Sequence, residues 1–570
     1  MANAASGLDC EVLVVGAGPT GLMAANLLRR SGVQVRVVER RAEATRESRA
    51  FAVQARTLEL MQSLGLDQTF ISRGVMATGI DIHVRGKHRG GLDLDLADAS
   101  DTPFQYILMI PQSQTEAILI EDLRRLGVEV ERGFEVTGAE QDNTGVRTDL
   151  RQADGATSRI RSAYVIGADG SWSAVRTAAG IGWTGDALPQ RFLLADCKVE
   201  WPFDHQRFRV FMHGRRIGLF LPLDGARMSR VMATDLSGDA GDGDASKPEP
   251  LDLKEIEAGF AAAAGVPLKL SDPVWVTRYK AHHRAVDVYS KGRIFVAGDA
   301  AHIHSPAGGQ GMNTGLQDAA NLAWKIAAVL RRGADDELLE TYHDERKPVG
   351  ELVVRSTGRL FAATAGQAGF KAAVRDRIAA VMLKIVTHAR PVQRKAFMGI
   401  SERNIAYERS RYVCEGPSWP RQGPRAGARA PNARINPEHD VFDLLRDYRW
   451  NLLAFSKEPL SPADAATVRA GLNSLAQQFG DLGAHVIARF EHGLDPNALL
   501  ANGPEAFDRY GVSGATRQAL YLIRPDGYVA WRSAGLDLVA CRRFLEEIGF
   551  AAGVPAQRVR RGNPALVRAA

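Results

Sequence analysis

A strand that runs straight into closely spaced glycines and out into a helix leaves a chain few options, and this sequence opens with one. Cys10 to Val15 is a short β-favouring apolar run; Gly16-Ala17-Gly18-Pro19-Thr20-Gly21 follows at once, and Leu22 to Arg30 continues at helical spacing. Gly16 permits the tight turn, Gly18 lets backbone approach a diphosphate, and Gly21 lets the helix pack closely on the strand. A second strand, Val33 to Val38, ends at Glu39, roughly 20 residues beyond the glycines, where such units place the carboxylate that binds a ribose. Together these predict a Rossmann-like dinucleotide unit. Arg40, Arg41, Arg46, Arg49 and Arg56 follow, as a solvated face or as a phosphate-binding cluster beside the turn.

A second strand–loop–helix lies far downstream. Arg293 to Ala297 reads as a buried strand that stops at Gly298-Asp299, and apolar residues from Leu316 to Leu330 keep helical spacing. Between them Gly308, Gly309 and Gly311 allow backbone N–H groups to approach a ligand, and the helix beginning near Met312 and Asn313 offers free N–H groups and a positive dipole end. Asp299, at a strand's carboxyl end, can accept two sugar hydroxyls. The arrangement suits a flavin whose ribityl chain lies on Asp299 and whose pyrimidine edge, negative when reduced, faces the helix start.

With 570 residues the chain exceeds one core, and its length predicts three or four domains. Apolar content of 45% and charged content of 24% are those of an ordinary soluble protein. A net charge of +6 over this length does not imply nucleic acid. Cys10, Cys197, Cys414 and Cys541 lie far apart without metal-ligand spacing, so free thiols in a reducing cytoplasm and no metal are expected. The first residues lack a basic signal region, and no apolar run approaches the roughly 18 residues of a membrane span.

Residues 79–97 alternate in polarity, as do FLLADCKVEW, FRVFMHG, RIGLFLPLDG and RMSRVMATDL between Arg191 and Asp235; these predict an antiparallel sheet, a wall rather than a nucleotide cradle. Gln112 and Gln114 stand at a helix start. Gly167-Ala168-Asp169-Gly170 is another strand end with an acid, and Arg176 opens the helix after it. Residues 416–437 are rich in Pro, Gly and Arg and read as a linker. Beyond it, strands at Trp450–Phe455, Ala484–Phe490, Ala519–Ile523 and Tyr528–Arg532, with a turn at Arg524-Pro525-Asp526-Gly527 and a helix near Val539–Ile548, predict a thioredoxin-like unit. Having only Cys541, it cannot run dithiol chemistry.

GAGPTG at Gly16, GADG at Gly167 and GDAAHIHSPAGGQGMNTGLQDAANLAWK from Gly298 together resemble the group A FAD-dependent aromatic hydroxylases. RPDGYVAWR points to the aromatic polyketide and phenol hydroxylase branch. The resemblance implies an α/β fold: a p-hydroxybenzoate-hydroxylase-like FAD domain (1–78, 105–185 and 285–390), a substrate domain (79–104 and 186–284), a linker (391–436) and a thioredoxin-like domain (437–570). It implies that Gly16, Gly18, Pro19, Thr20 and Gly21 form the pyrophosphate turn and that Glu39 takes the adenosine ribose. Arg40 and Arg49 would contact FAD, Gln112 would lie by the flavin, and Asp169 would serve FAD and pyridine nucleotide. Asp299 would lie on the ribityl chain, and Pro306, Gly309, Gly311, Met312 and Asn313 would frame the isoalloxazine. Tyr279, aligned with a phenol-contacting tyrosine, and Pro306 are the expected catalytic-site residues.

The cycle implied is hydride transfer from NADPH or NADH to the flavin, addition of O2 at C4a, and attack of an electron-rich ring on the hydroperoxide. The expected partners are a small aromatic substrate, O2 and NAD(P)H, in a homodimer with neither nucleic acid nor membrane. One departure matters: the phenol hydroxylases carry an aspartate close to the position of Phe51, and no acid stands between Ala50 and Thr57. A bulkier phenolic or polycyclic substrate is therefore expected. His282, His283, His302 and His304 are weaker acid/base candidates. The alternatives are Baeyer–Villiger-type oxygenation or oxidative inactivation of an aromatic antibiotic by the same flavin chemistry, or a non-catalytic flavoprotein that sequesters an aromatic ligand.

Overall fold

The computed structural model describes residues 7–44, 50–94, 100–214, 216–223, 228–235, 251–303, 309–365, 390–480, 482–490 and 498–550. Strand β1 (Cys10–Val15) is buried along nearly its whole length, as a β-branched run between two parallel neighbours should be. Helix α1 (Pro19–Arg30) starts with Pro19 in its first turn, where a missing N–H loses no hydrogen bond. In chain order there follow β2 (Val35–Glu39), α2 (Ala55–Ser63), α3 (Gln112–Arg125), β3 (Val130–Arg132), β4 (Thr157–Gly167), β5 (Ile294–Val296), α4 (Gly311–Arg332), α5 (Glu337–Ala365) and α6 (Arg390–Ile400).

The first sheet runs Ser290–Lys291, β5, β4, β1, β2, β3. It is parallel from β5 to β3, and its outer pair at Ser290–Lys291 is antiparallel. Because β5, β4 and β1 are neighbours pointing the same way, GDAA, GADG and GAGPTG all leave the sheet at one edge. In such sheets the crevice outside the strands' carboxyl ends is where ligands bind.

The second sheet is the expected wall. Its order is His302–Ile303, Lys269–Val286, Trp183–Glu200, Met228–Asp235, Arg216–Pro222, Phe208–His213, Gly79–Val84 and Lys87–Asp93. Pairing is antiparallel except where Phe208–His213 runs parallel to Gly79–Val84, because those two segments come from distant parts of the chain. His302–Ile303 pairs with Arg284 and Ala285, so the chain enters the wall directly after the Asp299 turn.

The C-terminal strands fall close to expectation: Trp450–Ser456, Leu482–Ala488, Gln518–Ile523 and Val529–Ala534, with a helix at Leu538–Glu547. Two features depart from the sequence reading. Residues 391–436, expected as a linker, are helix α6 and packed chain, with Ala426, Ala430, Ala433 and Ile435 buried and Arg429 paired with Glu59 and Asp101. Pro and Gly there serve close packing rather than looseness. The 524–527 turn is also buried. Arg524 donates to both oxygens of Glu345 on α5 at 2.9 Å, and its guanidinium lies 4.9 Å from the Trp324 ring. Lys325 on α4 donates to Glu345 at 2.9 Å, and Asp526 receives Arg524 at 2.5 and 2.9 Å.

Two cations and two carboxylates thus neutralise one another out of water. Burial pulls Lys325 down to about 8; burial also acts against the Glu345 carboxylate, but Arg524 and Lys325 overcome it and hold that group well below its ordinary range. Removing one member of a buried charge cluster costs about 3–5 kcal/mol, because the partner charge stays behind. Arg524→Leu should lower stability by about that amount, read as a fall in the urea midpoint.

Candidate cofactor and active site

Gly16 has φ +103°, and a Cβ on it would lie 2.4 Å from the carbonyl oxygen of Ala168, so the first motif touches the second. A Cβ on Gly21 would lie 2.0 Å from the Gly16 carbonyl oxygen, which is how closely α1 packs on the turn. At Gly18 a Cβ would meet nothing within 4 Å among the described residues. The three glycines therefore separate into two that serve packing and one that faces open space. Thr20 sits at the crossing of α1 and α4: its Oγ1 would be 2.5 Å from a Cβ on Gly298 and 2.4 Å from one on Gly315. Glu39 accepts Ala17 N–H at 2.9 Å and Arg41 N–H at 3.0 Å, leaving lone pairs on a carboxylate at the rim. Arg40 is exposed beside it, and Arg49 lies outside the described residues.

In the second motif Asp169 accepts Ser173 Oγ at 2.5 Å and the N–H groups of Ala174 and Val175 at 2.8 and 3.2 Å. Its carboxylate shapes the loop, and burial raises its proton affinity. Arg176 joins this loop to the third motif, donating to Ser171 O at 2.7 Å and Ala300 O at 2.9 Å while stacking 4.0 Å over Trp183. Gln112, at the first turn of α3, accepts Ala50 N–H at 3.2 Å and donates to Glu116 at 2.8 Å. It holds residue 50 rather than pointing out alone.

The third motif is a 3-10 turn, Gly298–Ala300, in which Asp299 is exposed while Gly298 and Ala300 are buried. Gly309 has φ +61°, the left-handed region that favours glycine. Gly311, Met312 and Asn313 open α4, and the N–H groups of a first turn have no partner within their own helix. Asn313 is occupied as a brace. Its Oδ1 accepts Gln54 N–H and Thr57 Oγ1 at 2.9 and 2.8 Å, and its Nδ2 donates to Ala52 O and Gly309 O at 2.8 Å. Its side chain has no capacity left for a ligand, so only its backbone can serve one. Pro306 and His304 lie outside the described residues. Tyr279 stands in the strand Lys269–Val286 opposite Phe192, and its side chain lies outside the described set.

Beneath the turn is a network the sequence did not announce. Asp318, fully buried on α4, accepts Gly298 N–H at 3.0 Å, Arg346 Nε at 2.7 Å and His302 Nε2 at 2.7 Å. Burial pushes its carboxyl up, yet Arg346 and His302 outweigh it and keep it below the usual range. Arg346 also donates to Thr314 O at 3.0 Å and Tyr407 Oη at 2.8 Å. His302, an acid/base candidate in the sequence, is 1% exposed and works here as a core brace. The available signal was a charged residue on the apolar face of a helix.

Open space at Gly18, rim carboxylates at Glu39 and Asp299 and the bare first turn of α4 lie along one sheet edge. That is the donor and acceptor set of an extended dinucleotide bearing a ring system, and it fits FAD. A nucleotide cradle in a parallel sheet, joined to a second, largely antiparallel sheet, defines the class as an FAD-binding α/β protein. Residues 9–357 match the FAD binding domain family, and residues 423–548 match the C-terminal family of aromatic-ring hydroxylases. The chain belongs to the FAD-dependent aromatic-ring hydroxylases and is a monooxygenase of aromatic compounds.

It is 33% identical to 6-methylpretetramide 4-monooxygenase of Streptomyces rimosus, covering 91% of this chain and 90% of the relative. It is 32% identical to pentachlorophenol 4-monooxygenase of Sphingobium chlorophenolicum, covering 93% and 94%. Among solved structures it is similar to the ternary complex of aklavinone-11 hydroxylase with FAD and aklavinone, with TM-score 0.74, 25% identity, and coverage of 95% of this chain and 99% of that chain. Among the described residues no helix is long and apolar enough to cross a membrane.

The glycines give a paired test. Gly18→Ala should leave apoprotein stability within about 0.5 kcal/mol and weaken FAD binding at least about tenfold, because its methyl enters ligand space. Gly21→Ala should destabilise the apoprotein itself. Flavin fluorescence titration and thermal unfolding of the apoprotein separate the two.

Proposed function

We propose that the protein uses NADH or NADPH and O2 to hydroxylate a phenolic or polycyclic aromatic compound. The observation that carries this is the similarity, over nine-tenths of each chain, to relatives named for a polycyclic polyketide and for a substituted phenol. Bound FAD supplies two-electron transfer and activation of dioxygen. The protein's own groups do the rest. Gly16, Gly18, Pro19, Thr20 and Gly21 hold the diphosphate, Glu39 the adenosine ribose, and Arg40 and Arg49 add positive charge. Asp299 takes the ribityl hydroxyls. The N–H groups at Gly311, Met312 and Asn313 stabilise negative charge on the ring's pyrimidine edge, with Gly309, Pro306 and Gln112 at its border.

Phe51 supports the choice of a bulky ring. It is 6% exposed and lies under the Arg230 guanidinium, 5.2 Å from its own ring centroid, and its Cε2 is 3.9 Å from where a Cβ on Gly309 would stand. An apolar ring thus stands close to the position where the phenol hydroxylases carry an acid, beside Gly309 of the proposed flavin loop. Tyr279 on the wall faces the substrate in this reading, and Asp169 serves the pyridine nucleotide. The FAD part comprises 1–78, 105–185 and 285–390, the substrate part 79–104 and 186–284, and the thioredoxin-like part 437–570, in a cytoplasmic homodimer.

Purified protein reconstituted with FAD should oxidise NAD(P)H faster in the presence of phenols, naphthoquinones or anthraquinones of the right shape. Mass spectrometry should then find product heavier by one oxygen. NAD(P)H oxidation that no aromatic compound stimulates, or that yields only peroxide, would refute the hydroxylase reading.

A further inference from the structure

The start of α4 is gripped from below by the end of α6 and the chain that follows it. Gln310 Nε2 donates to Gly399 O at 3.1 Å, and Arg56 N–H donates to Ser401 O at 3.3 Å. Directly after these contacts Glu402 turns inward. It is 2% exposed and its φ is +58°, the left-handed region that a glutamate enters only when its surroundings require it. Thr314 Oγ1 donates to its Oε1 at 2.9 Å, and Gln317 Nε2 donates to Oε2. Both donors are neutral and both stand on the first two turns of α4.

The charged and titratable groups around it are otherwise engaged. Arg346 on α5 is bound to Asp318, Thr314 O and Tyr407; Asp318 on α4 is held by His302 and Arg346; Arg403 of the same segment pairs with Asp101, and Arg56 on α2 with Glu59. Among the described residues no cation is hydrogen-bonded to the buried Glu402 carboxyl, which is set behind the helix start that faces the flavin edge in the proposed reading. Burial, its largest influence, pushes it up to about 7 against the Thr314 and Gln317 hydrogen bonds and the charge of the nearby Arg346.

We infer, on the FAD reading of the cradle, that Glu402 is a positioning residue that takes up one proton when the bound flavin is reduced, acting through the first two turns of α4. A hydride from the nicotinamide donor brings two electrons and one proton and leaves one added negative charge at the pyrimidine edge, while the donor leaves as its oxidised form. Two like charges across a low-dielectric helix end raise each other's proton affinity. The carboxylate therefore takes one proton from water and becomes the neutral acid, so the interior gains no second anion.

The test is the midpoint potential of the FAD-loaded protein between pH 6 and 8, with proton uptake on dithionite reduction followed by an indicator dye. Wild type should take up one proton more than Glu402→Gln. That changes the reduction equilibrium an extra tenfold per pH unit, about 30 mV for a two-electron couple. The apoprotein gives a flavin-free reading. A carboxyl raised from 4.5 to about 7 stabilises the fold at low pH and loses that contribution as pH rises through about 7, so wild type should show this decline and Glu402→Gln should not. If Glu402→Gln fails to fold, Thr314→Val, which removes one donor to the carboxylate, should move the extra-proton window to higher pH. Equal slopes in wild type and Glu402→Gln, or a window that Thr314→Val leaves in place, would overturn the proposal. Failure to bind FAD at all would overturn the flavin reading on which it stands.

Discussion

One buried carboxylate, Asp318, holds the site together. It accepts the N–H of Gly298, the residue that starts the turn presenting Asp299, and it is itself held by Arg346 and His302. A helix, a strand end and a second helix are thus tied at a single desolvated point. Water cannot compete there, and an unpaired charge would be costly, so the geometry has little freedom to drift. The distance between the exposed Asp299 and the start of α4 follows from that junction.

The same economy extends to the C-terminal unit. Arg524 reaches Glu345, which also holds Lys325 and Asn321 on α4, Asp526 accepts from Arg524, and the Arg524 guanidinium lies 5.1 Å from the ring of Tyr407, whose hydroxyl takes Arg346. A hairpin turn some two hundred residues downstream is therefore continuous, through buried polar contacts, with the network under the turn that presents Asp299. Within that unit burial raises the Cys541 thiol to about 12, so it stays protonated.

Much of the site could be read from residues because it depends on local rules. A glycine that must take φ +103° at Gly16, an acid ending β2, and helical spacing after Gly309 are short-range requirements, and each appears where expected. Boundaries moved by a residue or two, as at Ile294–Val296, where the ladder ends rather than where apolar composition does. The reading went astray where neighbours are distant in sequence. The Asn313 side chain is a saturated brace, which leaves only its backbone for a ligand, and the Pro- and Gly-rich chain expected as a linker is packed. Most of the partners that decide these outcomes, such as Gln54, Thr57 and Ala52 for Asn313 and Glu59 and Asp101 for Arg429, lie far away in sequence.

By itself, then, the order of residues determined the parallel dinucleotide sheet, the antiparallel wall, the cofactor and the family, because glycine conformations, hydrophobic period and motif order are local and additive. Tertiary structure alone decided which glycine of the first motif faces open space, which polar side chains have spare hydrogen-bonding capacity, and which charges lose their water. Those properties depend on what packs against a group from elsewhere in the chain, and proton affinity in particular follows the surroundings rather than the residue type.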